Sequence, residues 1–501
     1  LISLYIEPVK CSTPVWLFAV VTFVAAASSC TRPNPDFCCS SEAECAALGV
    51  DQLRTCGDGH VCDSNVCAKA ECSTSETCTD LAAPYCVNQV CKASCSGDGD
   101  CVGAAGGPLC ADDGVCVGCE SNKDCTASAP ICSPTQRACT ACRADADCES
   151  GVCLAADGVC ALATELIYVR EDGTDGSACP KSAPCRTFTG ALARVSPTRR
   201  VIRLLGTQYE TADGIVLDSK DIYLDAESTQ VRRISPGRII TVSGTSKLTI
   251  EGIKLDMSLG QTGIESTSTQ LVRLSQIDAT GGGAYAVFTN AGTLHIRDSK
   301  FVGALVLCGM STMDIHTCDF RNASIEGGSD CVTHVSRSSF TDTQLAAGGV
   351  LRAENNVIVS NSATCTNDFY ASITEIHFNT WICRHTPPVS EPFKGTAFYC
   401  GGSDSVSFGN LLAWDSTNPA PSCTLSHSII PSFATVAGAN HVVAAAASIF
   451  VDFLGGDYHL RADSPAKGAA ESNSGITVDF DGAPRPNPKG SAPDIGAFEA
   501  P

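Results

Sequence analysis

From Val201 onward, apolar and polar residues alternate in short runs separated by turn residues, with no long helical pattern between them. Aligned on one apolar position, the runs form a ladder: Ile250, Leu274, Ile296, Ile315, Val335, Ala353, Ile376, Phe408 and Leu425. Most have an apolar residue two places earlier, among them Leu248, Val272, Leu294, Met313, Leu351 and Val406. Many have another five places later, including Leu255, Phe301, Phe320, Phe340, Ile358, Trp381 and Ile430. A period of two marks strands whose side chains point alternately in and out. Recurrence of the whole pattern at intervals of 17 to 32 residues marks a solenoid. The Leu/Asn signature of leucine-rich repeats is absent, so the coils are expected to stack as a parallel β-helix over residues 163–445, closed by 446–501. The expected fold class is all-β.

The first 162 residues follow other rules. Residues 15–27 form an apolar run broken by Thr22. It is shorter than the ~20 residues of a membrane-spanning helix and fits the core of an export signal over residues 1–30. The run ends at Ala27-Ser28-Ser29-Cys30. This resembles the lipobox of bacterial lipoproteins and implies a lipid on Cys30, although Ala27 stands where Leu is usual.

Composition then changes the picture. Of 33 cysteines, 22 lie between residues 38 and 160. The pairs Cys116/Cys119 and Cys139/Cys142 have the spacing of a four-cysteine zinc ribbon. Aligning all the cysteines gives another division. Cys72, Cys78, Cys86 and Cys91 make one unit, and three more units begin at Cys95, Cys119 and Cys142 after an earlier variant unit of six. Each C-x-x-C pair is then a junction between units, and every unit has an even count, as internal disulfides require. Four cysteines allow three pairings, and the spacing does not choose among them. Tyr85 is the one aromatic residue in this stretch, so residues 31–162 are expected to be a cross-linked spacer without a core. The formal net charge of -21 argues against nucleic acid as a partner, because phosphate binding needs excess Lys and Arg.

The Asp-Cys phrases ending at Cys101, Cys125 and Cys148, with Gly-Val-Cys ending at Cys116 and Cys160, resemble Dickkopf-type cysteine-rich modules of bacterial surface proteins. That resemblance implies a stalk or interaction module. Pro184-Cys185-Arg186-Thr187-Phe188, Ala191-Leu192 and the following RVIRLLGTQYE resemble the opening of right-handed parallel β-helix proteins of the pectin-lyase-like superfamily, where a short helix caps the stack. Asp457-Tyr458-His459-Leu460, Ser464-Pro465-Ala466, Asp479-Phe480-Asp481-Gly482 and Asp494-Ile495-Gly496-Ala497-Phe498-Glu499 resemble the closing segment of secreted bacterial β-helix proteins, some of the choice-of-anchor type. The whole implies an exported, lipid-anchored protein of the outer membrane, cell surface or extracellular space.

The superfamily includes lyases, hydrolases, epimerases and non-catalytic proteins, so the fold leaves activity open. The N-T-D, D-D and G-H-G phrases of polygalacturonases are absent from the β-helix. Candidate chemistry falls in the outward positions flanking the ladder: Arg273, His295, Arg297, Asp314, His316, His334, Arg352, Glu354, Glu375 and His377. A lyase needs a base for the C5 proton and a cation for the uronate carboxylate, which His and Arg supply; the alternative is a solvated polar face. The longest ladder interval contains the stretch 383–400, a loop that a Cys383–Cys400 disulfide would close. It carries Arg384, His385, Phe393, Lys394, Phe398 and Tyr399, a set suited to sugar stacking and carboxylate pairing. Asp479 and Asp481 are a weak calcium candidate in a segment that reads better as a turn; no other cofactor is expected. Cys308 and Cys331 are one coil apart and can bridge adjacent coils, whereas Cys318 is expected to be a buried thiol. The leading expectation is a non-catalytic surface protein binding polysaccharide or extracellular matrix, with a polysaccharide lyase and a purely structural protein as rivals.

Overall fold

A computed structural model describes residues 38–501 apart from short breaks, the longest at 49–55, 362–368, 384–396 and 414–419. The expected leader and Cys30 lie outside the described residues. The chain divides into two compact units, one ending at Cys160 and the other comprising Leu154–Asp157 and Ala161–Pro501.

In the first unit the 22 cysteines between residues 38 and 160 are all paired. Each four-cysteine module joins its first cysteine to its third and its second to its fourth, as in Cys119–Cys132 with Cys125–Cys139. Crossed bridges crowd their sulfurs, so three cysteines of a module lie within 4.8 Å of one another without any need for metal. The Asp of each Asp-Cys phrase closes the turn before it. Asp124 accepts the N–H groups of Glu120 and Ser121, and Asp147 those of Arg143 and Ala144. The Gly of Gly-Val-Cys has φ of 77° at Gly114 and 71° at Gly158, a left-handed conformation that glycine takes at no steric cost. Its carbonyl there accepts the N–H of the module's first cysteine, Cys95 or Cys142.

The second unit is a parallel β-helix with three faces. The ladder strands form the first face, running from Asp221–Asp225 through Lys247–Glu251, Leu271–Ser275, Thr293–Arg297, Thr312–His316 and Val332–Ser336. The second face is a 12-stranded sheet from Gln208–Thr211 to Val442–Val443. The third runs from Ile215–Asp218 through Tyr285–Thr289 and Leu305–Cys308 to Phe398–Cys400. Gln344–Glu354 and Phe369–His377 pass through the corner between the third and first faces without a break, which joins those faces into one 20-stranded sheet. Pairing between coils is parallel throughout, and like residues stack. Ile250, Leu274, Ile296, Ile315, Val335, Ala353 and Ile376 are successive register partners. On the second face the rings of Phe301, Phe320 and Phe340 stack at 4.9 and 5.2 Å. The helix Phe188–Leu192 near the start of the unit buries Phe188 and Ala191, and its N-cap Thr187 accepts the Gly190 N–H.

The corner after each first-face strand explains the repeat. Gln276, Asp298, Thr317, Arg337, Asn355 and Phe378 all have φ between 49° and 55° there. Non-glycine residues tolerate this because each N–H reaches a carbonyl of the next coil, as Thr317 does to Ser336 at 3.2 Å. The residue that follows turns inward and forms a polar ladder of Ser299, Cys318, Ser338, Asn356, Asn379, Asn410 and Ser428. The side chain of Asn379 accepts the Asn356 N–H at 2.9 Å, and that of Asn410 accepts the Asn379 N–H at 3.0 Å.

Two expectations need correction. Ser407, not Phe408, continues the apolar ladder, since it pairs with Ile376 and Leu425. Val406 accordingly pairs with Glu375. The expected loop bridge does not form either: Cys400 pairs with Cys423, one coil on, and Cys383 is bonded elsewhere. Stacking places Cys400 above the next coil, so proximity in space follows the coil and not the sequence. The Cys308–Cys331 bridge and the buried thiol of Cys318 are present.

Candidate functional site

The outward positions of the first face fall into two columns. One contains Arg273, His295, Asp314, His334, Arg352 and Glu375; the other Ser275, Arg297, His316, Ser336, Glu354 and His377. Period-two alternation puts them outside while Leu294, Ile296, Met313 and Ile315 fill the core. Rungs stand about 4.8 Å apart, so each charged group faces the next coil's group.

The columns differ along their length. His334 lies between two carboxylates, Nδ1 3.5 Å from Asp314 and Nε2 3.7 Å from Glu354. Asp314, and then Glu354, raise its pKa to about 9 against the desolvation that opposes them. Both carboxyls are in turn held below their ordinary range, chiefly by His334. Arg352 is occupied by Glu375, with contacts of 2.9 and 3.4 Å. His377 is only 8 % exposed and stacks on Phe408 at 4.0 Å between ring centres. Burial lowers its pKa. It is sheltered from solvent, unlike the rest of the predicted face.

The face around Arg297 is different. Burial lowers the pKa of His295 and of His316, which favours the neutral imidazole at both. His316 Nδ1 lies 2.8 Å from Ser336 Oγ, a partner that the sequence reading did not name. Arg297 is exposed and has no ion pair among the described residues. One free guanidinium thus stands among two imidazoles whose neutral form is favoured.

The other predicted residues are dispersed. Arg384, His385, Phe393 and Lys394 lie outside the described residues. Phe398 and Tyr399 belong to the strand Phe398–Cys400 on the third face, away from the His/Arg columns. In the closing segment, Asp479 is buried and accepts the N–H groups of Ala483 and Glu499. Asp481 is 2.8 Å from His459 Nε2, and Asp457 is 2.6 Å from Nδ1. Both calcium candidates are therefore engaged by protein groups.

No family model matches the chain, and no curated protein matches it. Solved structures that match include the crystal structure of pectate lyase Pel9A, with a TM-score of 0.32 and 14% identity. The match covers 67% of this chain and 96% of that one. At that level the likeness says nothing about activity.

Proposed function

We propose that this protein is exported to a cell surface and that its β-helix binds a carboxylate-bearing polysaccharide along the first face. The observation that carries the reading is Arg297, an exposed guanidinium with no ion pair among the described residues, flanked by His295 and His316. A guanidinium grips a carboxylate through two parallel N–H bonds, and imidazoles in the neutral form exchange hydrogen bonds with sugar hydroxyls. The eleven disulfides of the first unit support an oxidising compartment, and a lipid on Cys30 would supply the anchor. Electrophoresis through gels containing polygalacturonate tests this. Retardation of the wild type, weakened by salt and lost in Arg297→Ala, is expected; a wild type that migrates unretarded rejects the reading.

One observation favours a lyase as the second reading. Burial favours the neutral form of His316, and in the tautomer whose Nδ1–H donates to Ser336 Oγ its Nε2 is left to take a proton beside a carboxylate held on Arg297. Unsaturated products that absorb in the ultraviolet, formed by the wild type and not by His316→Ala, would establish it.

A further inference from the structure

The third face carries a second feature. Tyr285 and Phe288 lie on one strand, three residues apart, where strict alternation would send them to opposite sides. A β-bulge resolves this: Tyr285 pairs with Leu305 and Val287 with Val306, so Ala286 is an extra, buried residue. Bulges re-aim side chains in this way. Both rings then face outward, with centres 6.0 Å apart and planes inclined at 41°. Leu305 and Leu307, their register partners on the next coil, also face outward and are half-buried. Tyr285 is 40% exposed. In the Phe288 column the flanking coils supply carboxylates, Glu265 before and Glu326 after; Glu265 is paired with Arg238.

We propose that Tyr285, Phe288, Leu305 and Leu307 form a stacking platform for an uncharged polysaccharide, separate from the first-face columns. The C–H faces of sugar rings match tilted aromatic rings, and Glu326 accepts sugar hydroxyls at the edge. Two features select this occupant. The patch covers two rungs about 4.8 Å apart, far from the ~20 residues a side of a stable protein interface. Glu326, which has no ion pair among the described residues, also disfavours a polyanion. The inference does not rest on the first-face reading, because the two sites use different residues and oppositely charged surroundings.

The test is affinity electrophoresis of the full chain in gels containing soluble cellulose, xylan, glucomannan or chitin derivatives, with polygalacturonate as the charged comparison. Retardation by at least one neutral polymer is expected, about tenfold weaker in Tyr285→Ala/Phe288→Ala. It should be preserved in the ring-conserving Tyr285→Phe and unchanged in Arg297→Ala. An unchanged melting temperature of the double variant guards against misfolding, and Leu307→Glu reads the same patch independently. Absence of retardation by every neutral polymer overturns the proposal, as does retardation that the double variant and Leu307→Glu both retain. Self-association of the wild type that the double variant abolishes would reassign the patch to a second copy of the chain, and so also overturns it.

Discussion

His334 keeps its proton into alkaline solution because Asp314 and Glu354 face it from the coils on either side. Its folded pKa, about 9, lies above the ordinary 6.5. Its charge therefore stabilises the fold fully below pH 6.5, and that contribution fades as pH rises through 9. The side chain is 37% exposed, so solvent screening limits the effect to about 1 kcal/mol or less. Imidazole NMR should find His334 titrating near 9, with His295, His316 and His377 below the ordinary histidine value. A His334 that titrates with the others would show that the carboxylates do not hold it. Cys318 is the complementary case. It occupies the position where neighbouring coils place Ser299 and Ser338, and its sulfur lies 3.3 Å from the His316 carbonyl. Burial pushes its thiol up to about 12. Alkylation of the native protein should leave Cys318 unmodified, and Cys318→Ser should fold with nearly unchanged stability, because serine supplies the same donor and acceptor; peptide mapping and denaturation check both. Of these particulars, the outward polar columns and the buried Cys318 were legible in the sequence. The pairing of His334 was not, because it depends on which residues stack in adjacent coils.

At the scale of elements, the inner polar ladder and the closing segment do the stitching. Asn379 accepts from Asn356, donates its Nδ2–H to the Ala353 carbonyl at 2.8 Å, and is fully buried. Asn379→Ala strands the Asn356 N–H and should cost about 1–3 kcal/mol in equilibrium denaturation, more than the same change at an exposed asparagine. In the closing segment, the buried Arg485 lies 3.2 Å from Glu499, donates to the carbonyls of Asp494 and Gly496, and sits over the Phe378 ring. The segment meets the corner column directly: Gly496 donates to the Gly409 carbonyl and Ala497 to Thr380 Oγ1. Arg485→Met leaves the Glu499 carboxylate buried without its partner, a loss of about 3–5 kcal/mol that a shift in thermal midpoint would register. The ladder strands were readable because apolar residues recur in register. The reading slipped at Phe408 because that strand is three residues long. Phe408 points outward onto His377 while the buried Ser407 takes the inward place, and hydrophobicity alone selects the wrong one. Tyr285 was missed for a related reason, since a bulge shifts the alternation by one residue.

For the whole molecule, the two units draw stability from different sources. Residues 38–160 contain one aromatic residue, Tyr85, and are held by disulfides, whereas the second unit has a continuous apolar core from Ile167 to Ile430. Mild reduction followed by protease should therefore digest residues 38–160 while the β-helix survives; survival of both would mean that the first unit has a core of its own. The disulfide-bonded state of the cysteines and the β-helix architecture could be read from spacing and period. The disulfide map could not, because four cysteines permit three pairings and only the folded hairpins choose between them. The most direct test of the functional account is hydrogen exchange of the full chain with and without polygalacturonate. The account predicts protection in Thr293–Arg297 and Thr312–His316, and loss of that protection in Arg297→Ala. Protection confined to other faces, or none at saturating polymer, would contradict it.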